Sequence, residues 1–295
     1  MAYSIEDLVH LLELEPLERN IYRGRNRDIG SGRIFGGQVL AQSLVAARRT
    51  VEEEDRAVHS MHGYFILSGD LETPVVYFVD RLRDGRSFAT RRVTGIQHGN
   101  AIFNMSASFH RTEDGFSHQA EMPDVPGPEG LPSELEMIRE RAELIPEKLR
   151  PVLTQDRPLD ARPVEPRDPF DPEPSEPVRN TWVRTVGQLA DDPLHHQAVL
   201  AYTSDYWLLG AALQPHGRSF REPGIMAASL DHSIWFHRPF RIDDWLLYSV
   251  DSPIACGARG FARGQFFTRD GVLVASVAQE GVLRFPPKRE MEGDE

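Results

Sequence analysis

This chain of 295 residues contains one cysteine, Cys256. An internal disulfide framework and a cysteine-cluster metal site are both excluded, and a reducing compartment fits best. Long apolar runs are missing as well, since none approaches the roughly 20 residues that cross a bilayer. No secretory leader is expected, because MAYSIEDLVHLLELEPLERN is acidic and amphipathic rather than basic and then apolar. The final GDE is not the small-basic-leucine peroxisomal address. The expectation is therefore a cytoplasmic protein with no membrane insertion. Positive charge is also in deficit: the net charge is −12. Such a surface repels phosphodiester backbones, so nucleic acid is not an expected partner. An anionic, cofactor-like substrate would need a local basic patch, for which Arg33, Arg48, Arg49, Arg91 and Arg92 are candidates. Each of them taken singly also reads as solvated surface.

Several catalytic signatures are missing too. No G-x-S-x-G elbow occurs, and Gly85-Arg86-Ser87-Phe88-Ala89 reads better as a turn entering a strand. His195-His196 and His232…His237 lack metal-ligand spacing on a helix. Gly30-Ser31-Gly32 and Gly36-Gly37 follow no strand that would make them a dinucleotide fingerprint. Neither a metal nor a cofactor is implied.

What is present is a soluble globular balance, 40% hydrophobic and 26% charged. Prolines are unevenly placed: 13 of the 22 lie between Pro123 and Pro177, where neither a long helix nor a central strand is sustained. Residues 119–178 therefore read as a linker wrapping along the surface. It holds one short helix within Ser133–Leu149, spaced by Leu135, Ile138, Leu144 and Ile145. On either side, residues 1–118 and 179–295 follow one order, the latter ending in a flexible acidic tail. A helix (Phe35 to Arg48; His196–Leu213) precedes four strand-like runs. The runs are near His59–Leu67, Pro74–Leu82, Ser87–Gln97 and Ala101–His110, and then Ala228–His237, Trp245–Asp251, Arg259–Thr268 and Val272–Arg284. A shift of 171 superposes Phe65 on Phe236 and Tyr77 on Tyr248. With no crossover helices between the strands, the fold class is α+β, two tandem units of a helix wrapped by an antiparallel sheet.

Three polar residues stand out in the second half. Gln279 shares a strand face with Leu273, Ala275 and Val277, so it points where its neighbours are buried. Asp205 has Ala201, Tyr202, Leu208 and Leu209 beside it on a helix surface, and burial there raises a carboxyl pKa towards that of a useful base. Ser229 begins the strand ASLDHSIWFHRPF. Each has an ordinary alternative: a cap on a shorter helix from Tyr206, a turn residue, and a structural amide. Under the 171 shift they fall on Ile34, Val58 and Ser108, so mostly apolar positions become polar in one half only. Asp231 and His232 form a rival acid/base pair, although neighbours in a strand face opposite ways.

With these residues in hand, RIFGGQVLAQSLVAA, VHSMHGYFILSGD, LRDGRSFATRRV, SDYWLLGAALQPHG, LDHSIWFHRPF and DDWLLYSVDSPIACGARGFARGQFFTRDGVLVASVAQEGVLR together resemble the acyl-CoA thioesterase II family over nearly the whole chain. The resemblance implies a double hot-dog fold, acyl-CoA as substrate, and assembly into homo-oligomers. It also implies a site of aspartate, threonine and glutamine around an attacking water. Asp205 and Gln279 occupy the first and last places, and Ser229 stands where the family has threonine, keeping the hydroxyl and losing the methyl. Backbone N–H groups of Gly36 and Gly37 at a helix start are candidates for the oxyanion, with close helix-to-sheet packing as their other reading. Two further readings remain: a non-catalytic acyl-CoA binding protein, and an acyl-thioester hydratase or dehydratase using Asp231 and His232.

Overall fold

The computed structural model describes residues 3–285 apart from Pro169, Arg221 and Pro223, so the acidic tail lies outside the described residues. Helix α1 (Ile5–Leu12) opens on a capping box between Ser4 and Asp7 and buries Ile5, Leu8, Leu11 and Leu12. Strands β1 (Glu15–Glu18) and β2 (Ile21–Gly24) lead to helix α2 (Gly36–Arg48). Then come β3 (Arg56–Phe65), β4 (Val75–Asp84), β5 (Phe88–Gln97) and β6 (Asn100–Arg111). The connection holds α3 (Glu134–Glu140), α4 (Arg150–Leu153) and β7 (Leu159–Pro163). The second half comprises β8 (Val178–Thr185), α5 (Pro193–Ser204), α6 (Leu208–Leu213), β9 (Met226–Ser229), β10 (Asp231–Phe236), β11 (Leu246–Cys256), β12 (Arg259–Thr268) and β13 (Leu273–Arg284).

All strands join one sheet in the order β1-β2-β4-β5-β6-β3-β10-β13-β12-β11-β8-β7, with β9 pairing β13. The four runs of the first half do not all pair in chain order: β4, β5 and β6 follow one another, but β3 closes on β6. The halves meet at β3 and β10, where His62 lies opposite Ser233. Those two positions differ by 171, so the seam is the axis of the sequence repeat. Tyr77 and Tyr248 are wholly buried at matching places, one donating to Gln42 and the other to the Ser204 carbonyl.

Helix α2 is buried from Gly37 to Ala47, between the first half of the sheet and α5. Its alanines Ala41, Ala46 and Ala47 permit that close approach, while Leu40 and Leu44 each contribute about 1.5–3 kcal/mol by burial. The second helix differs from expectation. Instead of one helix over His196–Leu213, α5 ends at Ser204 and α6 starts at Leu208, with Trp207 at φ 68° between them. Thr203 and Ser204 bond back to the Val199 and Ala201 carbonyls, which favours bending, and a bulky residue in the left-handed region costs roughly 1–2 kcal/mol. The Trp207 indole N–H donates to Glu134 at 3.2 Å and helps hold that turn.

In the connection, α3 opens on a second capping box, Ser133 with Glu136. Strand β7 is compatible with the expectation that so many prolines sustain no central strand. It lies at the edge of the sheet beside β8, where a missing N–H is tolerated. Met122, Val125 and Leu131 cover Trp182, Leu247 and Phe267, so the linker cloaks one face of the second half.

Candidate active site

Three departures from regular structure bring the site together. The α5/α6 break places Asp205 as the C-terminal cap of α5, and its side chain is only 5% exposed. The second is a slip against β13: Ser229 pairs Gly281, whereas Ser233 pairs Ala278, so one extra residue intervenes at Leu230. That bulge splits the strand expected over Ala228–His237 and leaves Ser229 at the end of β9. It also lets Ser229 and His232 both face inward, which a regular strand forbids for residues three apart. The third is the start of α2, where a Cβ on Gly36 would lie 2.6 Å from Asp205 Oδ2 and one on Gly37 2.3 Å from the Tyr202 carbonyl.

Asp205, Ser229 and Gln279 meet there. Gln279, 1% exposed, donates through Nε2 to Asp205 Oδ1 at 2.7 Å, and Ser229 Oγ donates to the same oxygen at 3.4 Å. The backbone N–H of Gly37 also favours the ionised form of this carboxylate. Burial pushes the Asp205 carboxyl up to about 6 from its ordinary 3.8, and Gln279, Gly37 and Ser229 pull it back only in part. A carboxylate in this range is ionised at neutral pH yet basic enough to take a proton from water. The start of α2 thus lies against the Asp205 carboxylate.

Asp205 opens onto a cavity of about 880 Å³. Its apolar wall includes Ile138, Leu153 and Leu159 from the linker and Trp207 from the helix break. The basic groups on this cavity are Arg157, Arg167, Arg179 and Arg218, which sequence reasoning missed because nothing local shows the linker folding over Asp205. The basic candidates read from the sequence lie elsewhere. Arg91 is fully buried, bonding Thr50, Arg83, Thr90 and Asp84 through all three nitrogens, so it serves the core. Arg92 pairs with Asp80 at 2.8 Å across β4 and β5. Arg48 and Arg49 bond the Val51 and Leu14 carbonyls, and Arg33 is exposed.

The Asp231/His232 pair divides as strand alternation requires. Asp231 accepts the Glu280 N–H at 2.7 Å, whereas His232 is wholly buried, 3.8 Å from Asp205. Burial pushes His232 down to about 3, so it is neutral at working pH and supplies no general acid. Its neighbour is the proposed base rather than Asp231, a long-range contact that adjacency in sequence conceals.

A buried carboxylate held by an amide and a hydroxyl at the end of an apolar cavity suits hydrolysis of an acyl group. The helices and antiparallel sheet match a hot-dog protein of unknown function from Alicyclobacillus acidocaldarius with a TM-score of 0.75 at 20% identity, over 94% of this chain and 97% of that one, so the fold is of the hot-dog class. The family model described as acyl-CoA thioesterase matches residues 150–282, and that of the acyl-CoA thioesterase N-terminal domain matches residues 24–110. Acyl-CoA thioesterase 2 of Haemophilus influenzae is 41% identical over 97% of this chain and 99% of its own length. The crystal structure of acyl-CoA thioesterase II TesB2 from Mycobacterium marinum aligns with a TM-score of 0.78 at 44% identity, over 96% of this chain and 99% of that one. The chain belongs to the acyl-CoA thioesterase II family and is a thioester hydrolase.

Proposed function

We propose that this chain hydrolyses acyl-CoA to a free acid and CoA through water activated by Asp205. The observation that carries this reading is the buried carboxylate, raised to about 6, at the end of the apolar cavity. Asp205 takes a proton from water as the water oxygen bonds the thioester carbonyl carbon, giving a tetrahedral oxyanion. Collapse of that species breaks the C–S bond, and the proton on Asp205 passes to the departing sulfur. A thiol of pKa about 8.5 leaves readily, so no strong general acid is needed. Gln279 and Ser229 hold the carboxylate and the water in line. The acyl chain occupies the cavity beneath the linker, whose volume falls in the upper part of the roughly 300–1,000 Å³ range of small-molecule sites.

On this reading residues 1–118 and 179–295 are the two units of a double hot-dog, and the linker at 119–178 is part of the substrate wall. We also place the protein in the cytoplasm as a homo-oligomer. The test is thiol release from a panel of acyl-CoAs. Activity that disappears in Asp205→Ala supports hydrolysis at this carboxylate, and full activity in that variant would sink it.

A further inference from the structure

From the sequence His232 reads only as the partner of Asp231, yet together with Asp205 it fixes how Gln279 is turned. The hydrogen-bond chain has one consistent solution. Ser204 Oγ has a single hydrogen and donates it to the Ala201 carbonyl at 2.9 Å. The same oxygen lies 2.9 Å from His232 Nε2, so it accepts there, and the proton of the neutral imidazole is on Nε2. Nδ1 then bears only a lone pair, and the atom 3.1 Å away must be a donor, which is Gln279 Nε2. The two N–H bonds of the amide are thereby assigned, one to His232 and one to Asp205 Oδ1. Gln279 Oε1 is left buried without a protein partner. The reversed amide would set a carbonyl oxygen against both the Nδ1 lone pair and the carboxylate.

We propose that His232 is a positioning residue: in its neutral Nε2–H form it orients Gln279 so that N–H groups hold Asp205 and Oε1 accepts a proton of the reacting water. The inference rests on the Asp205 reading above. The matching position of the first half supports a functional origin. Seam register relates His62 to Ser233, so His232 corresponds to Met61, which is equally buried. The fold thus accommodates an apolar side chain at that place, and only the half with the carboxylate has the imidazole. Facing His232 are Asp205 and Ser204 from the end of α5 and Gln279 from β13, while the Tyr248 hydroxyl from β11 is taken up by the Ser204 carbonyl at 2.7 Å.

The test compares wild type with His232→Met, His232→Gln and His232→Asn. An asparagine carbonyl stands near the place of Nδ1 and can accept from Gln279, whereas a glutamine amide reaches towards Ser204 and leaves Gln279 without its acceptor. Thiol release is measured at saturating acyl-CoA across pH, with unfolding midpoints recorded for each variant. The expected result is a kcat lower by roughly tenfold or more in His232→Met and His232→Gln, with KM changed less than about twofold. The acid limb of kcat moves to higher pH in those two variants, because the carboxylate loses an ordered donor. His232→Asn recovers most of the rate and the wild-type limb. Wild-type kcat in His232→Gln, or equal losses in His232→Asn and His232→Gln, would overturn the role. Should His232→Met not fold, the Asn and Gln variants decide between them. Full activity in Asp205→Asn would instead overturn the Asp205 reading, so the two failures are distinguishable.

Discussion

Replacing Asp205 by asparagine should change stability in a way that depends on pH, and the dependence can be worked from the burial of that one carboxyl. Its pKa in the folded protein is about 6 against an ordinary 3.8, a rise of about two units, and each unit corresponds to about 1.4 kcal/mol. A raised carboxyl favours the folded state in its neutral form. The contribution is therefore fully present below the unfolded pKa and is lost as pH rises through the folded one. For wild type the loss between pH 4 and pH 7 is about 2–3 kcal/mol. The asparagine side chain cannot titrate, so whatever contacts the new amide makes or loses are the same at both pH values and cancel in the difference. Denaturant unfolding of wild type and Asp205→Asn, measured at pH 4 and pH 7, reads this directly. The variant should gain about 2–3 kcal/mol relative to wild type on going to pH 7, at the expense of activity. A relative stability constant to within about 0.5 kcal/mol across that range would refute the claim that Asp205 is buried as a strained base.

Three other outcomes follow from the contacts. Gln279→Ala, which removes the 2.7 Å donor, should lower kcat by about a hundredfold, whereas Ser229→Ala, at 3.4 Å, should cost roughly three- to tenfold; steady-state thiol release ranks them. Leu153→Trp fills part of the linker wall of the cavity, so an acyl-CoA panel should show its optimum shifted to shorter chains with the short-chain rate retained. Arg91→Met should destabilise the protein by about 3–5 kcal/mol, because Asp84 and the carbonyls around it lose their partner. In soluble, folded preparations of that variant KM for acyl-CoA should stay near wild type, since Arg91 does not touch the cavity.

How much of this was legible in the sequence differs from element to element. Alternation in Leu273–Arg284 gave the inward face of Gln279 correctly, because side-chain period in a strand is a local property. The comparison that marked it as unusual was one residue off. His62 pairs Ser106 while Ser233 pairs Ala278, so the shift is 171 on β3 and 172 on β6, and Gln279 matches buried Ala107 rather than Ser108. Ser108 faces the other side and bonds His59. A strand register across a bulge is fixed by pairing partners, and no single strand contains that information. The same holds for the bulge at Leu230, which turns Ser229 inward, and for the break after Ser204, which depends on Gly37 and Glu134 from distant segments. The linker was recognised by its prolines, but its part in the cavity wall was not, since composition says that a segment is extended and not what it lies against.

The central claim is that Asp205 is the base that activates the water. The measurement that reads it most directly is the pH profile of kcat/KM, which reports the groups of the free enzyme. Wild type should show an acid limb with an apparent pKa of about 6, and in Asp205→Asn the small residual rate should show no such limb. A wild-type profile flat from about pH 5 to 8, or an unchanged limb in the variant, would contradict the account.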